Sequence, residues 1–421
     1  MNVISKIRTA KRVLLKNGFK EVIVLLFRNI ELYFTRYFRV ICSKLRRIAY
    51  RFFLSIQHIQ NSDKINILYL TEQMEVENGQ TARYRIFNLM EALRGTANTR
   101  FEIIENGIYK DKHNIAWADL IILMRVEFSL KIKTLVKIAK QFNIPVVYDI
   151  DDIIFLQDYV EKFCSILPND IAKNIETFKS KFSRQELTLR NADFVTVSTS
   201  FIAAIMEDEG KKSYVIHNGL NYRQLKIAEK IAKNDETSKR FIGYLSGSVT
   251  HDKDFLQVVP ALLKILDEYK NVRLNIVGYL NVDNLPQELV KLTKTACFMK
   301  WSKLLKYSSQ NYINLSPLDI DNPFCHAKSE LKYFESAIVG VPTVASATDT
   351  YKRCINHEYN GMLASNTDEW YTSIKALLDN PTLYENIQKN AYKQVLENYS
   401  PKAIAKEAMN AYQSILREYN K

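Results

Sequence analysis

The chain is poor in the residues that would build a disulfide framework or a metal site. Its five cysteines (Cys42, Cys164, Cys297, Cys325 and Cys354) are odd in number, scattered and without a CxxC spacing. That argues against a disulfide scaffold and against a zinc site, and it fits a reducing compartment. The six histidines include no HExxH. No stretch reaches the roughly 18 apolar residues that a membrane-spanning helix needs. A signal peptide is not expected, because charges interrupt the apolar stretches near the start and no small-residue cleavage site follows them. No short-period repeat is found.

Acidic residues are scarce in one place. Residues 1–60 hold thirteen lysines and arginines against Glu21 and Glu31, so this arm carries +11 of the formal +13 and residues 61–421 are close to neutral. Bulky apolar residues interleave with the cations, among them residues 22–27, Tyr33, Phe34, Tyr37 and Phe38. That mixture suits helices lying on an anionic membrane surface. A basic, solvated helix pair is the plainer alternative. A nucleic-acid arm is disfavoured, because no zinc finger, RNP-like motif or other recognition module accompanies it.

Hydrophobic residues are plentiful, at 47% of 421, and a chain of this length exceeds one core, so two domains are expected. Apolar, strand-forming runs fall at 65–70, 101–104, 120–124, 144–150, 194–198 and 214–216, with helical patterns at 83–93, 130–142 and 199–209 between them. Residues 223–240 are polar and charged and read as a connection. A second series follows, with strands at 241–245, 272–277, 313–315 and 341–345, a helix at 255–269 and a terminal helical stretch. Strands alternating with helices mean βαβ units and parallel sheets. The expected fold is α/β: two doubly wound Rossmann-like domains facing a cleft, with a basic helical extension in front. Ligands belong at the C-terminal ends of the strands. The expected boundaries are 1–60 for the basic membrane-associating segment, 61–222 for the first domain and 223–240 for the linker. The second domain takes 241–395 and a C-terminal helix 396–421.

Residues 322–346, NPFCHAKSELKYFESAIVGVPTVAS, are the most informative stretch. They predict a loop, a helix of roughly three turns, a left-handed C-cap at Gly340 and a short buried strand. Lys328, Ser329 and Lys332 cluster near the helix start, where free N–H groups already favour an anion. Glu335 sits about one turn on, where a carboxylate can accept both hydroxyls of a ribose. An anion hole beside a diol acceptor suits a nucleotide diphosphate. In 241–255, FIGYLSGSVTHDKDF, Gly247 and Ser248 let backbone approach a phosphate closely, with His251 and Lys253 adding charge. Asp149, Asp151 and Asp152 close the strand at 144–150. Three carboxylates there are hard to explain as packing, since buried unpaired charge is costly. A role in acceptor binding or proton handling is one reading, and helix N-capping by Asp151 or Asp152 is the other. Gly79, Arg83 and Arg85 lie where the first strand leads into a helix, so Arg83 or Arg85 contacts an anionic substrate or is a surface helix charge; Arg125, after the strand at 120–124, is a similar case of lower weight.

Taken in order, these motifs resemble the GT-B glycosyltransferases of family 4, the retaining group that includes many bacterial polysaccharide transferases. The likeness runs from about residue 64 to the C-terminus. It implies transfer of a sugar from a nucleotide-sugar donor to a glycan or lipid-linked acceptor, without metal or other cofactor, on a metal-independent GT-B scaffold. It implies that Glu335 binds the donor ribose and that Gly247, Ser248, His251, Lys253, Lys328, Ser329 and Lys332 face the donor diphosphate. The loop of Gly79, Arg83 and Arg85 lies against phosphates and acceptor, and Asp149, Asp151 and Asp152 stand near the reacting sugar. The first domain is then the acceptor side. The chain departs from the family at Ala327, where a Glu eight residues before Glu335 is usual. With the basic arm, the resemblance implies a peripheral protein on the cytoplasmic face of the cell membrane, acting in surface polysaccharide synthesis. A non-catalytic glycan-assembly partner and another nucleotide-sugar enzyme on the same fold are the alternatives.

Overall fold

Parallel strands need long crossovers, and the helical stretches between the apolar runs supply them. The computed structural model describes residues 64–78, 80–231, 240–247 and 252–421. The basic arm and its expected membrane-associating helices lie outside these residues. Within them, β1 (Asn66–Thr71), β2 (Asn98–Ile103), β3 (Leu120–Met124), β4 (Val146–Ile150), β5 (Phe194–Val197) and β6 (Ser213–Val215) form one parallel sheet. A second parallel sheet holds β7 (Arg240–Ser246), β8 (Val272–Gly278), β9 (Thr293–Ala296), β10 (Ile313–Ser316), β11 (Thr343–Ser346) and β12 (Met362–Ala364). The orders are β2-β1-β3-β4-β5-β6 and β12-β11-β10-β7-β8-β9. Both reverse direction beside their first strand, at β1/β3 and at β7/β10, and such switch points open a crevice for ligands. The doubly wound two-sheet expectation therefore holds.

Strands covered on both faces should be apolar throughout, and β1, β3, β4 and β5 are buried at every position. Side chains alternate across the first sheet. Leu68 and Leu70 join one core with the helix Leu130–Gln141, while Ile67 and Tyr69 join another. That second core is closed by the C-terminal helix Pro401–Tyr419, which lays Ile404, Ala408, Tyr412 and Ile415 on the first sheet. The Tyr69 and Tyr412 hydroxyls meet at 3.0 Å. Where the chain crosses from one half to the other, a Cβ on Gly219 would stand 2.3 Å from Ile404, so glycine lets the two passages touch.

The structure adds what weak patterns hid. β9 reads TKTA and is partly exposed, so it lacks the apolar signature of a strand. The stretch expected as a connection begins with a ten-residue helix, Tyr222–Ile231. The helix carrying Glu335 spans Leu331–Ala337, seven residues rather than three turns, so Lys328 and Ser329 precede it in the loop. Gly340 does take a left-handed conformation, with φ of +78°.

Candidate active site

A cleft of about 260 Å³ opens between the C-terminal ends of the two sheets, at both switch points. The first half contributes Gln80, Thr81, Arg83 and Tyr84 after β1 and Asp151 and Asp152 after β4. The second half contributes the end of β7 through Gly247, Val277, Trp301 and the segment carrying Lys328, Ser329, Lys332 and Glu335. At the β7–β8 edge, Gly278 has φ of +103° and a Cβ there would lie 1.9 Å from the Ser246 carbonyl oxygen. Any other residue would push β8 off the strand end that forms the cleft floor. A Cβ on Gly247, in contrast, would meet nothing within 4 Å, so its backbone faces open space.

Glu335 is the meeting point of the two halves. Its Oε1 accepts from the Tyr84 hydroxyl, from Arg83 Nη2 at 3.4 Å and from Gln224 Nε2 at 3.2 Å. All three contacts fall on one oxygen, and 17% of the side chain stays open to the cleft. The Arg83 guanidinium lies 4.2 Å from the Tyr84 ring centre and 5.6 Å from that of Trp301, an arrangement that fixes its plane. Its Nε and Nη1 are buried and have no hydrogen-bond partner among the described residues.

Asp151 and Asp152 are held by one arginine. Arg125 Nε reaches Asp151 Oδ1 at 2.5 Å while its Nη2 pairs with Asp152 Oδ2. Lys328 then crosses from the second half to Asp152 Oδ1 at 2.9 Å. Arg125 adopts φ of +50°, a left-handed conformation uncommon for a residue with a side chain. Two hydrogen bonds pin it there: its N–H donates to Asp149 O at 3.0 Å, and its carbonyl accepts from Gln185 Nε2 at 3.0 Å. The neighbouring carboxylates are driven apart electrostatically. Burial pushes the Asp151 carboxyl up, against Arg125, and the charge on Asp152 adds to the rise. Burial also acts upward on Asp152, but Lys328 and Arg125 outweigh it and hold that carboxyl below its usual range.

Lys332 is half-buried on the cleft floor, 5.7 Å from the Tyr244 ring centre. Burial lowers its amine to about 8, with Asp254 opposing and Lys328 reinforcing the fall. Ser329 accepts a hydrogen bond from Asn218 Nδ2 at 2.9 Å, which ties the cleft floor to the crossover after β6.

The structure separates the expected site residues. Glu335, Lys328, Ser329, Lys332, Gly247, Arg83, Asp151 and Asp152 line one cleft. Arg85 and Asp149 do not. Arg85 is fully buried and forks onto Asp149, Nε to Oδ1 at 2.9 Å and Nη2 to Oδ2 at 2.6 Å, with Thr196 Oγ1 donating to Oδ2 at 2.7 Å. Residues two apart on a helix face opposite ways, so Arg83 turns to the cleft and Arg85 to the core. Lys253 is exposed and donates to the Ser165 carbonyl at 2.6 Å, away from the cleft lining. Gly79, Ser248 and His251 lie outside the described residues. Sequence reasoning assigned no role to Tyr84, Gln224 or Trp301 and set Arg125 aside as a weak substrate contact. The one signal present was Arg125 itself, a charge directly after the fully apolar β3. Ala327 is buried, so the place of the family's usual Glu holds no carboxylate.

Comparisons with known proteins agree with this geometry. Residues 240–380 match the family described as Glycosyl transferases group 1. An uncharacterized glycosyltransferase of Methanocaldococcus jannaschii is 26% identical over 241 residues, an alignment that spans 53% of this chain and 60% of that relative. Among solved structures, Anabaena HepE in complex with UDP and glucose is similar with a TM-score of 0.56 at 14% identity, over 83% of this chain and 100% of that one. The sucrose-phosphate synthase of Thermosynechococcus elongatus is similar with a TM-score of 0.60 at 15% identity, over 84% and 100%. At these identities the likeness is one of fold. The chain has the GT-B fold of two facing Rossmann-like sheets, and the half built on its second sheet matches the group 1 glycosyl transferases.

Proposed function

We propose that this protein transfers a glycosyl unit from a nucleoside diphosphate sugar to the hydroxyl of a glycan or lipid-linked glycan acceptor. The observation that carries this reading is the convergence of Glu335, Ser329, Lys332 and the open Gly247 backbone at the switch point of the second sheet. Together they make a diol acceptor beside an anion site. UDP is the first nucleotide to test, because the similar Anabaena HepE was solved with it.

In this reading the ribose hydroxyls bind the open side of Glu335, and the diphosphate settles on Lys332, Lys328 and Ser329. The diphosphate competes with Asp152 for Lys328, so donor binding exchanges a cross-cleft ion pair for a phosphate contact. As the bond from the anomeric carbon to the phosphate oxygen breaks, negative charge grows on the leaving diphosphate. Lys332 already stands there and Lys328 has joined it on donor binding, so both charges are in place before the bond breaks. The acceptor hydroxyl attacks from the same face and its proton passes to the leaving phosphate oxygen, giving the retention expected of family 4. Asp151, pushed toward its protonated form, can donate to the acceptor and Asp152, kept ionised, can accept from it, so the pair binds and orients the acceptor hydroxyls. Arg125 holds both in place. The basic arm at 1–60 would keep the enzyme at the cytoplasmic membrane face, where acceptors for surface polysaccharide synthesis are presented. No helix of the described residues is long and apolar enough to cross a membrane.

The test is titration calorimetry with UDP and UDP-sugars, followed by chromatography of the products. The expected result is UDP binding and conversion of one donor to UDP plus a glycosylated acceptor, with turnover lost in Glu335→Ala. Binding without any turnover favours the assembly-partner alternative. A changed sugar still on its nucleotide favours another enzyme on this fold. Absence of binding by any nucleotide overturns the reading.

A further inference from the structure

A second cavity, of about 510 Å³, lies along the seam between the two halves, behind the donor cleft. Its walls come from both halves: Thr199 and Ser200 after β5, His217 after β6, Arg353 and Cys354 beyond β11, and the crossing segment around Asn398 and Tyr399. A thin partition separates it from the donor cleft, in which Asn218 Nδ2 donates to Ser329 Oγ at 2.9 Å and Thr199 Oγ1 to Ala327 O at 3.5 Å. Ala327 to Glu330 is one short strip of chain. Lys328 and Ser329 line the donor cleft, and Glu330 lines the second cavity.

Glu330 is the feature that packing does not explain. It is 3% exposed, yet its Oε2 has no hydrogen-bond partner among the described residues. The Tyr399 hydroxyl bonds this carboxyl and His217 stands near it, while Oε2 itself is left without a partner among the described residues. A buried, unsatisfied carboxylate oxygen costs free energy until a donor reaches it. The rest of the lining says what kind of donor. The charged lining residues balance, Glu330, Glu397 and Glu407 against Arg353, Lys406 and His217, whose Nδ1 pairs with Glu407 Oε1 at 2.7 Å. No single sign of charge is left to capture an ion. What remains is hydrogen-bonding capacity, from the Gln394, Asn398 and Asn410 carboxamides and the Ser200 and Thr350 hydroxyls.

We infer that this seam cavity binds an uncharged, polyhydroxylated ligand, a saccharide unit, with Glu330 accepting one of its hydroxyls. Because Glu330 shares its strip with Lys328 and Ser329, occupancy of the cavity is coupled to nucleotide binding in the donor cleft. The saccharide site stands apart from the transfer reading; only its coupling to a nucleotide rests on that reading.

The experiment titrates glucose, N-acetylglucosamine and maltose into the full-length protein, with and without saturating UDP. Variants are Glu330→Gln, which keeps shape but removes the carboxylate, and Asn410→Trp, which fills the cavity from an exposed helix position. The expected result is a saccharide that binds together with UDP, shifts the UDP Kd by about fivefold or more and has its own Kd shifted by UDP by the same factor. Its affinity should fall about tenfold in both variants while UDP binding by the saccharide-free variants stays within about twofold of wild type. Three outcomes overturn the inference: no saccharide binding up to about 10 mM, competition with UDP, or binding unchanged in both variants. If neither UDP nor any other nucleotide binds, the transfer reading fails, and saccharide binding lost in both variants still supports the site.

Discussion

Asp149 and Asp152 stand three residues apart at the end of β4, and each meets an arginine. Asp149 and Arg85 are sealed, at 1% and 0% side-chain exposure, and Arg85 also bonds the Ile216 carbonyl and Asn218. Asp152 lines the cleft with Arg125 behind it, and a lysine from the opposite half completes their cluster. The residue types are nearly the same. In the first cluster every charge is matched inside one half, so it stiffens the scaffold and, through Asn218, supports Ser329. In the second the charges are matched across a cleft, where a ligand can take a partner's place. Whether a carboxylate–arginine pair serves the frame or the chemistry is decided by what else can reach it.

That contrast can be broken from the sealed side first. Arg85→Ala leaves Asp149 buried and uncompensated, and urea denaturation should show a loss of about 3–5 kcal/mol. Next is the cleft itself. Glu335→Ala should weaken UDP by about 2 kcal/mol, a factor of roughly 30 in Kd by calorimetry, with little change in folding stability.

Asp151 and Asp152 sharpen the comparison further, because their shifts have opposite signs. Asp152 is held low, so it contributes stability above about pH 4 that is lost as pH falls through its folded value. Asp152→Asn should therefore cost on the order of 1 kcal/mol at neutral pH, and the cost should vanish in acid. Asp151 is held high, so its ionisation removes stability as pH rises past the ordinary Asp range. Asp151→Asn should be neutral or slightly stabilising at pH 7, and melting curves from pH 3 to 8 separate the two. The smallest effect concerns Lys332, whose amine titrates at about 8. UDP affinity should fall as pH rises through that value, because the ligand must then take a proton with it. Lys332→Arg, charged throughout, should bind UDP with no such fall between pH 7 and 9.5.

Much of the frame was legible along the chain. Runs such as LIILM and IPVVYDI have the all-apolar character of strands buried on both faces, and β3 and β4 fall on them. β9 was not legible, because a partly exposed strand of Thr, Lys and Ala carries no such pattern. In the site, the spacing of Lys328, Ser329, Lys332 and Glu335 was enough to group them, since they lie within eight residues on one loop and helix. Arg83 and Arg85 could not be told apart by type. The helix turn between them sends one to Glu335 and the other to Asp149.

What the sequence determined by itself is therefore local: the alternation of strand and helix, the glycine cap at residue 340 and the run of chemistry before β11. These follow from side-chain polarity, backbone freedom and spacing over a few residues. The tertiary structure alone decided which charges are matched internally and which face the cleft. Tyr84 meets Glu335 across 251 residues of chain, and Lys328 meets Asp152 across 176. A charge's role depends on its compensation and its access to solvent, and both are set by partners that only folding brings within a few ångströms.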